Sequence, residues 1–267
     1  MNLPQGPRNR SGTVAVVTEV DVEAETRADL AAAFRWAARL NFHEATANHF
    51  SAAVSDDGTK FLLNPRGRHF SQMRASELLL LDADADAAGG EAGAEANPAA
   101  DPTAWYLHAH LHRFVPQARC VLHTHMPYAT ALACLADYEF LMLDQNACRF
   151  HHRIAYDRHY AGMALDDTEG ERVAQLLGPD KSVLFLGNHG VIVVGRSVAE
   201  AFDELYYLEK ASQLQVLALS TGRPLALVDD RTAALACQQW LDYPDVAKVH
   251  FDELRRILDA ETPDYAS

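Results

Sequence analysis

The sequence predicts an α/β protein in which one continuous sheet lies between two layers of helices. Two long segments, 23–40 and 197–219, carry apolar residues at helical spacing. Between them, short runs rich in β-branched and aromatic residues are bounded by turn signals, as is typical of strands. Helical and strand patterns alternate along the 267 residues, which make one large domain or two small ones.

The pattern assigns each segment a helix or a strand. Asp56-Asp57-Gly58 is a hairpin signal between two of the strands. Asp167 or Thr168 can cap one helix, and Ser197 can cap the longest one. The predicted strands are Phe50–Val54, Lys60–Leu63, Ser76–Leu81, Cys120–Leu122, Tyr138–Leu143, Arg149–Ala155, Ser182–Leu186 and Val191–Val194, and the predicted helices are Glu23–Leu40, Trp105–Phe114, Tyr128–Leu135, Asp167–Leu177 and Ser197–Leu219.

Composition divides the chain into a main domain with flanking segments. Residues 1–20 are predicted to be a flexible tail, and 21–222 to be the main domain. Within that domain, residues 82–101 are nearly all Ala, Asp, Gly and Glu, which cannot pack a core, so we expect a solvated insertion. The segment 223–267 is interrupted by prolines and is expected to be a partly helical, peripheral extension.

Charge and composition exclude several classes of protein. Asp and Glu number 37 against 23 Lys and Arg, a formal net charge of −14, and so acidic a surface argues against nucleic-acid binding. It does not exclude a small anionic substrate, because a few local arginines can reverse the sign in a pocket. Neither a signal peptide nor a membrane span is recognisable, and the four cysteines have no CxxC spacing, so we expect a cytoplasmic protein that does not bind membranes.

The most specific chemical signal is a histidine pair that follows a short apolar run. His123 and His125 are separated by one residue, so on an extended segment both imidazoles point the same way and can reach one metal ion. His189 lies in a turn between two strands and is the natural third ligand. Three imidazoles suit Zn²⁺, with Mn²⁺, Fe²⁺ or Co²⁺ as alternatives. The competing interpretation is a surface turn and a hydrogen-bonded loop histidine.

Two long segments, ARCVLHTHMPYATALACL and LFLGNHGVIVVGRSVAEAFDELYYLE, resemble the class II aldolase/adducin family, which includes fuculose-phosphate aldolase and ribulose-phosphate epimerase. TANHFSAAV and LLNPRG resemble it more weakly. The resemblance implies that His123, His125 and His189 bind a divalent metal. It also implies an α/β/α sandwich around a mostly antiparallel sheet, and homotetramers with active sites at subunit interfaces.

The chain departs from the family pattern where the aldolases carry a catalytic glutamate. By that resemblance the glutamate position is Ala104, which cannot take a proton. The family's phosphate-binding positions are also altered, to Asn48, Arg66-Gly67 and Thr103. These departures argue against a standard sugar-phosphate aldolase.

Other residues are candidates for catalysis. His108 and His112 share one face of a predicted helix, and His108 is the expected proton donor or base. Glu44 is a weaker acid/base candidate.

Further residues are candidates for binding the substrate. Arg66 can grip a carboxylate or phosphate through two hydrogen bonds, or it is a solvated loop arginine. Asn48, Gly67 and Thr103 are further candidates, and Tyr156 lines the pocket or packs in the core.

These residues predict a metal-dependent carbon–carbon lyase, a decarboxylase or an aldolase, acting on a small anionic hydroxy or oxo acid or an aromatic carboxylate. Loss of the glutamate at Ala104 favours decarboxylation, because CO₂ leaves without a base. The alternatives are a non-catalytic adducin-like interaction protein and a sugar-phosphate aldolase or epimerase.

Overall fold

Seven strands form one sheet, and helices cover both of its faces. The structure, a computed structural model, describes residues 19–84, 97–160, 162–243 and 245–267. Neighbouring strands pair antiparallel except β5 and β6, which are parallel. The predicted three-layer architecture with a mostly antiparallel sheet is therefore confirmed. In the spatial order β3-β2-β1-β4-β7-β6-β5, the strands are β3 (Leu79–Asp82), β2 (Lys60–Leu63), β1 (His49–Ala53), β4 (Cys120–Thr124), β7 (Gly190–Gly195), β6 (Val183–Leu186) and β5 (Ile154–Asp157).

Most of the helices begin at a side chain that accepts a backbone N–H. Ser197 caps the longest helix, as predicted. The helix that begins at Asp167 is capped by Asp166, and not by either of the predicted residues, Asp167 and Thr168. None of the helices in the described ranges is long and apolar enough to span a membrane. The helices are α1 (Glu19–Arg39), α2 (Pro102–Phe114), α3 (Pro127–Ala133), α4 (Asp167–Leu177), α5 (Val198–Ser220), α6 (Asp230–Asp242) and α7 (Val246–Glu261).

Side-chain alternation along the central strands builds a separate core on each face of the sheet. On β7, Val191 and Val193 belong to one apolar cluster, and Ile192 and Val194 belong to another. The first cluster includes side chains of α1, α3, α5 and α7, and the second includes side chains of α2 and α4. The fully apolar runs in the central strands follow from this burial on both faces.

Three predicted strands were wrong in whole or in part. Residues 138–143 form no strand. The N–H of Phe140 donates to the Tyr156 hydroxyl and that of Leu141 to the Gln215 side chain, while that of Leu143 donates to the Leu141 carbonyl within the segment. Of the segments 76–81 and 149–155, only the C-terminal parts are strands, and 3₁₀ turns (Ala75–Glu77 and Ala147–Phe150) come before them.

The predicted tail and insertion lie largely outside the described residues. Residues 1–18 and 85–96 are not described, and residues 19 and 20 already belong to α1. The end of the predicted insertion is part of the fold: Ala100 is buried, and the Asp101 carboxylate caps α2 by accepting the N–H of Thr103.

The C-terminal segment is helical as expected, but it is not peripheral. Phe251 and Leu258 of α7 are buried in the cluster that contains α1 and α5, as is Tyr265 near the chain end. The Phe251 ring packs edge-on against Phe202, with 5.8 Å between ring centroids. The amphipathic face of α7 thus completes the core on that side of the sheet.

Replacing Phe251 with Ala should lower the free energy of unfolding by about 3–5 kcal/mol, because it leaves a cavity in a packed core. Val249, on the exposed face of the same helix, is the matched control, and Val249→Ala should change stability by less than about 0.5 kcal/mol. Urea unfolding of the full chain measures both. Equal stabilities of the two variants would contradict the packing of α7.

Candidate metal centre

The sheet brings three histidine rings to one point. His123 lies in β4, His125 follows that strand, and His189 ends the turn between β6 and β7, where β7 pairs with β4. Each residue offers a ring nitrogen, and these atoms all lie within 4.8 Å of one another. His123 is buried, and the other two rings are half-buried at the surface end of the sheet.

The turn that carries His189 depends on two special backbone positions. Asn188 adopts a left-handed conformation at φ 57°, which asparagine tolerates better than most residues. A Cβ at Gly190 would lie 2.5 Å from the Thr124 carbonyl oxygen and 2.8 Å from Cδ2 of His125. Glycine is therefore required where the turn passes the second histidine.

Hydrogen bonds fix which nitrogen of each ring is free. His123 donates its Nδ1–H to the Val191 carbonyl (3.1 Å), and His125 donates its Nδ1–H to the Glu44 carboxylate (2.6 Å). A carbonyl and a carboxylate only accept, so the proton of each neutral ring is on Nδ1 and Nε2 is bare.

The two bare nitrogens face each other, and this fits a shared cation. Nε2 of His123 and Nε2 of His125 are 3.2 Å apart. Two nitrogens bound to one tetrahedral zinc at about 2.0–2.1 Å would lie roughly 3.4 Å apart. Lone pairs at this distance repel unless a positive ion lies between them, and the donor set of three imidazoles suits Zn²⁺.

Burial keeps two of the three rings, His123 and His189, neutral. Desolvation lowers the pKa of His123 well below 6.5, and neighbouring imidazoles add to the effect. Desolvation, then the charge of His125, lowers the pKa of His189 to about 4. Neutral imidazoles are the form that binds a metal, so these two rings are in the form that a metal requires.

Glu44, predicted as a weaker acid/base candidate, hydrogen-bonds to the His125 ring on the side away from its bare nitrogen. Its carboxylate accepts from His125, while its own N–H donates to Oδ1 of Asn48 (2.6 Å). Nδ2 of Asn48 is buried and has no partner among the described residues. Asn48 therefore lies beside the site with one amide donor unused.

Both predicted proton-transfer histidines have their ring nitrogens occupied. His108 bonds to His49 (2.7 Å) and to the Ser51 hydroxyl, and His112 bonds to Ser51 (2.6 Å) and to the Ala118 carbonyl (2.6 Å). Both rings are buried. Neither presents a free nitrogen to a ligand.

His49 and Ser51 were missed by the sequence analysis. His49 is directly opposite His123 in the β1–β4 register, and the two ring centroids are 4.7 Å apart. Residues 49 and 51 share one face of β1, and α2, with its three histidines, packs near that strand. A His-x-Ser alternation in a strand beside a histidine-rich helix is the signal that was available.

The predicted anion-binding residues have different environments. The Arg66 side chain is exposed, and its nearest carboxylate is Asp101 at 3.9 Å. The Thr103 hydroxyl donates to the same carboxylate (2.7 Å). Gly67 has φ 77° with open space around it.

Tyr156 and Ala104 lie in packed surroundings. The Tyr156 hydroxyl accepts the Phe140 N–H, and its ring stacks on Phe185. Ala104 is fully buried in an apolar cluster with Phe61 and Leu63, so the position of the missing glutamate lies in that cluster.

Replacing Glu44 with Gln should weaken metal affinity about 10- to 100-fold, because a neutral amide polarises His125 less than a carboxylate does. Glu253, which pairs with Arg256 on the exposed side of α7, is the matched control for Glu253→Gln. Zinc titration against a chelating indicator measures both variants. Unchanged affinity in Glu44→Gln would show that the carboxylate does not act on the ligand.

Acid should destabilise the metal-free protein through its buried histidines. Desolvation holds the pKa of His49 at about 3 and that of His112 at about 4, against 6.5 in the unfolded chain. The unfolded chain thus binds protons first, so stability is complete above pH 6.5 and is lost as the pH falls toward 4. The two groups contribute a slope of up to about 2.7 kcal/mol per pH unit.

Urea unfolding at several pH values in the presence of EDTA measures this slope. His112→Gln should reduce the measured slope by about 1.4 kcal/mol per pH unit, the contribution of one group. His110→Gln is the control, since His110 lies on the same helix but outside the buried histidine group: its Nδ1 bonds to the Tyr106 carbonyl, and its Nε2 is 3.7 Å from the Asp167 carboxylate. Equal slopes in the two variants would contradict the assignment.

Comparison with known proteins agrees with the fold. The profile of the Class II Aldolase and Adducin N-terminal domain matches residues 28–216. The crystal structure of an aldolase II superfamily protein from Pseudomonas syringae superposes with a TM-score of 0.79 at 33% identity, covering 92% of this chain and 96% of that one.

Two of the similar proteins carry different names, one a decarboxylase and the other an adducin. Decarboxylase NovR of Streptomyces niveus is 30% identical over 210 residues, 76% of this chain and 75% of its own length. Alpha-adducin of Rattus norvegicus is also 30% identical, over 203 residues, but this chain spans only 27% of its length. The matched profile covers most of the chain, which therefore belongs to the class II aldolase and adducin family.

Proposed function

We propose that the chain is a divalent-metal-dependent lyase that cleaves a carbon–carbon bond of a small anionic hydroxy or oxo acid or an aromatic carboxylate, and that the reaction is a decarboxylation. The single observation that carries the proposal is the pair of bare Nε2 atoms on His123 and His125, 3.2 Å apart. Class II aldolases are generally dependent on a divalent metal, and relatives include a decarboxylase. Zinc is the proposed ion.

The three histidines would hold the ion, which when bound supplies a Lewis acid to a substrate oxygen. Arg66 is suited to bind the carboxylate, because its exposed guanidinium has only a distant contact with Asp101. Asn48 offers a buried amide N–H group without a partner in the described part of the chain. Both groups favour a substrate that carries negative charge.

Among the described residues, neither of the two predicted acid/base groups, Glu44 and His108, is free to act as a base, and this favours decarboxylation over aldol cleavage. Retro-aldol cleavage requires removal of a hydroxyl proton, and Ala104 stands where family aldolases have a glutamate. Glu44 already accepts from His125, and both ring nitrogens of His108 are bonded. Loss of CO₂ needs no proton removal, and only the later protonation of the product needs a donor.

Metal content per chain, measured by elemental mass spectrometry on untagged protein, tests the proposal. About one equivalent of zinc is expected, with His125→Ala and His189→Ala losing it. His152→Ala is the matched control, because His151, His152 and Asp230 form a second group of possible ligands, at the protein surface. Loss of the ion in His152→Ala alone would put the metal at that second group and contradict the proposal.

Turnover is then measured on the zinc-loaded protein with a panel of hydroxy acids and aromatic carboxylates, by release of CO₂ and of aldehyde. Release of CO₂ that depends on His125 supports decarboxylation, whereas release of aldehyde alone supports aldol cleavage. Negligible metal, with none taken up on reconstitution, would overturn the lyase and favour an adducin-like interaction protein.

A further inference from the structure

A chain of buried side chains runs behind the metal centre, from the sheet to helix α2. Nδ1 of His49 is 2.7 Å from Nε2 of His108, whose Nδ1 contacts the Ser51 hydroxyl. The same hydroxyl is 2.6 Å from Nε2 of His112, and Nδ1 of His112 is 2.6 Å from the Ala118 carbonyl oxygen. All four side chains are buried.

The carbonyl at the end of this chain determines the direction of every bond in it. Ala118 O only accepts, so His112 carries its proton on Nδ1 and its Nε2 accepts from Ser51. The serine has given its one proton and must accept from Nδ1 of His108. Nε2 of His108 is then bare and accepts from Nδ1 of His49. Neutral rings allow no other arrangement.

Nε2 of His49, the last nitrogen in this series of hydrogen bonds, carries an unshared lone pair and lies beside the proposed metal ligands. Nε2 of His49 has no hydrogen-bond partner within the described residues, and no proton to donate. The β1–β4 register places His49 directly opposite His123, with the rings on the same face of the sheet. His49 lies outside the group of mutually close ligand atoms formed by the other three histidines.

We infer that His49 is a substrate-positioning residue whose bare Nε2, held in that state by Ser51, His108 and His112, accepts a hydrogen bond from a hydroxyl of the bound acid. This inference rests on the proposed function and narrows its substrate to acids that carry a hydroxyl near the carboxylate. An oxo group placed at His49 has only lone pairs and would face the lone pair of Nε2, so at that position a hydroxyl is favoured over an oxo group. The substrate group that takes up the electron pair of the broken bond lies at the metal instead.

The hydroxyl of Ser51 is the element that makes the arrangement unique. Without it, His108 has no partner at Nδ1, and its proton is as well placed on Nε2, where it would donate to His49. Nδ1 of His49 would then accept, and its Nε2 would carry the proton. Ser51→Ala should therefore convert the lone pair near the metal into a mixture of donor and acceptor, whereas Ser51→Thr keeps the hydroxyl.

Nitrogen NMR of protein labelled with ¹⁵N-histidine tests the arrangement without any turnover, both metal-free and zinc-loaded. The wild type should show His49, His108 and His112 protonated at Nδ1 only, each assigned by substitution. Ser51→Ala should give mixed protonation at His49 and His108. Ser212→Ala is the control, because Ser212 is equally buried and bonds to Leu208 within α5. A proton on Nε2 of His49 in the wild type, or no change in Ser51→Ala, would overturn the inference.

Binding of lactate and pyruvate to the zinc-loaded protein, followed by calorimetry, tests the selectivity. The wild type and Ser51→Thr should favour lactate by about 2- to 10-fold, the value of one hydrogen bond. Ser51→Ala should lose the preference, and Ser212→Ala should keep it. Equal affinity in the wild type, or binding of neither acid, would overturn the positioning role. A zinc-induced shift of His49 Nε2 as large as those of the three ligands would show coordination instead, with the same consequence.

These results are separable from a failure of the proposed function. If the protein takes up no metal, the proposed function is wrong. The protonation of its histidines is still measured by NMR in the metal-free protein and tests the arrangement of hydrogen bonds separately.

Discussion

A carbonyl or carboxylate oxygen can accept a hydrogen bond and never donate one, and this constraint organises the histidines of the site. The Val191 carbonyl accepts a hydrogen bond from Nδ1–H of His123, and the Glu44 carboxylate accepts one from Nδ1–H of His125. Both rings therefore present bare Nε2 atoms. The Ala118 carbonyl does the same for His112, and three further bonds carry its effect to His49. The acceptor next to each ring thereby determines which of its two nitrogens carries the proton.

The sheet supplies the distances that this constraint needs. Strand β4 lies between β1 and β7, so the ligand-bearing strand has His49 on one side and the Val191 carbonyl on the other. A slip of one residue in either pairing would turn the partner side chains to the opposite face. The apolar side chains that alternate along β7 belong to two separate cores, and burial of both cores holds the register.

The sequence could predict the cluster of three histidines but not the hydrogen-bonded residues behind it. His123 and His125 share a face because of their spacing, and β2 and α4 were predicted residue for residue. The contact of His49 with His123, by contrast, depends on pairing between strands some seventy residues apart, which local patterns do not encode. The N–H groups of Phe140 and Leu141 bond to side chains and not to a neighbouring strand, so the prediction of a strand from the apolar run at 138–143 was wrong.

The same burial that makes these histidines neutral also limits the chemistry they can perform. An imidazole whose pKa is held far below 6.5 accepts hydrogen bonds well but is a poor base, so His49 is suited to orient a hydroxyl rather than to remove its proton. Ala104, buried beside Phe61, adds no carboxylate to compensate. These properties of the described residues favour the proposed decarboxylation. When CO₂ leaves a carboxylate, the bonding electron pair stays on the substrate, so the protein has no proton to remove in that step.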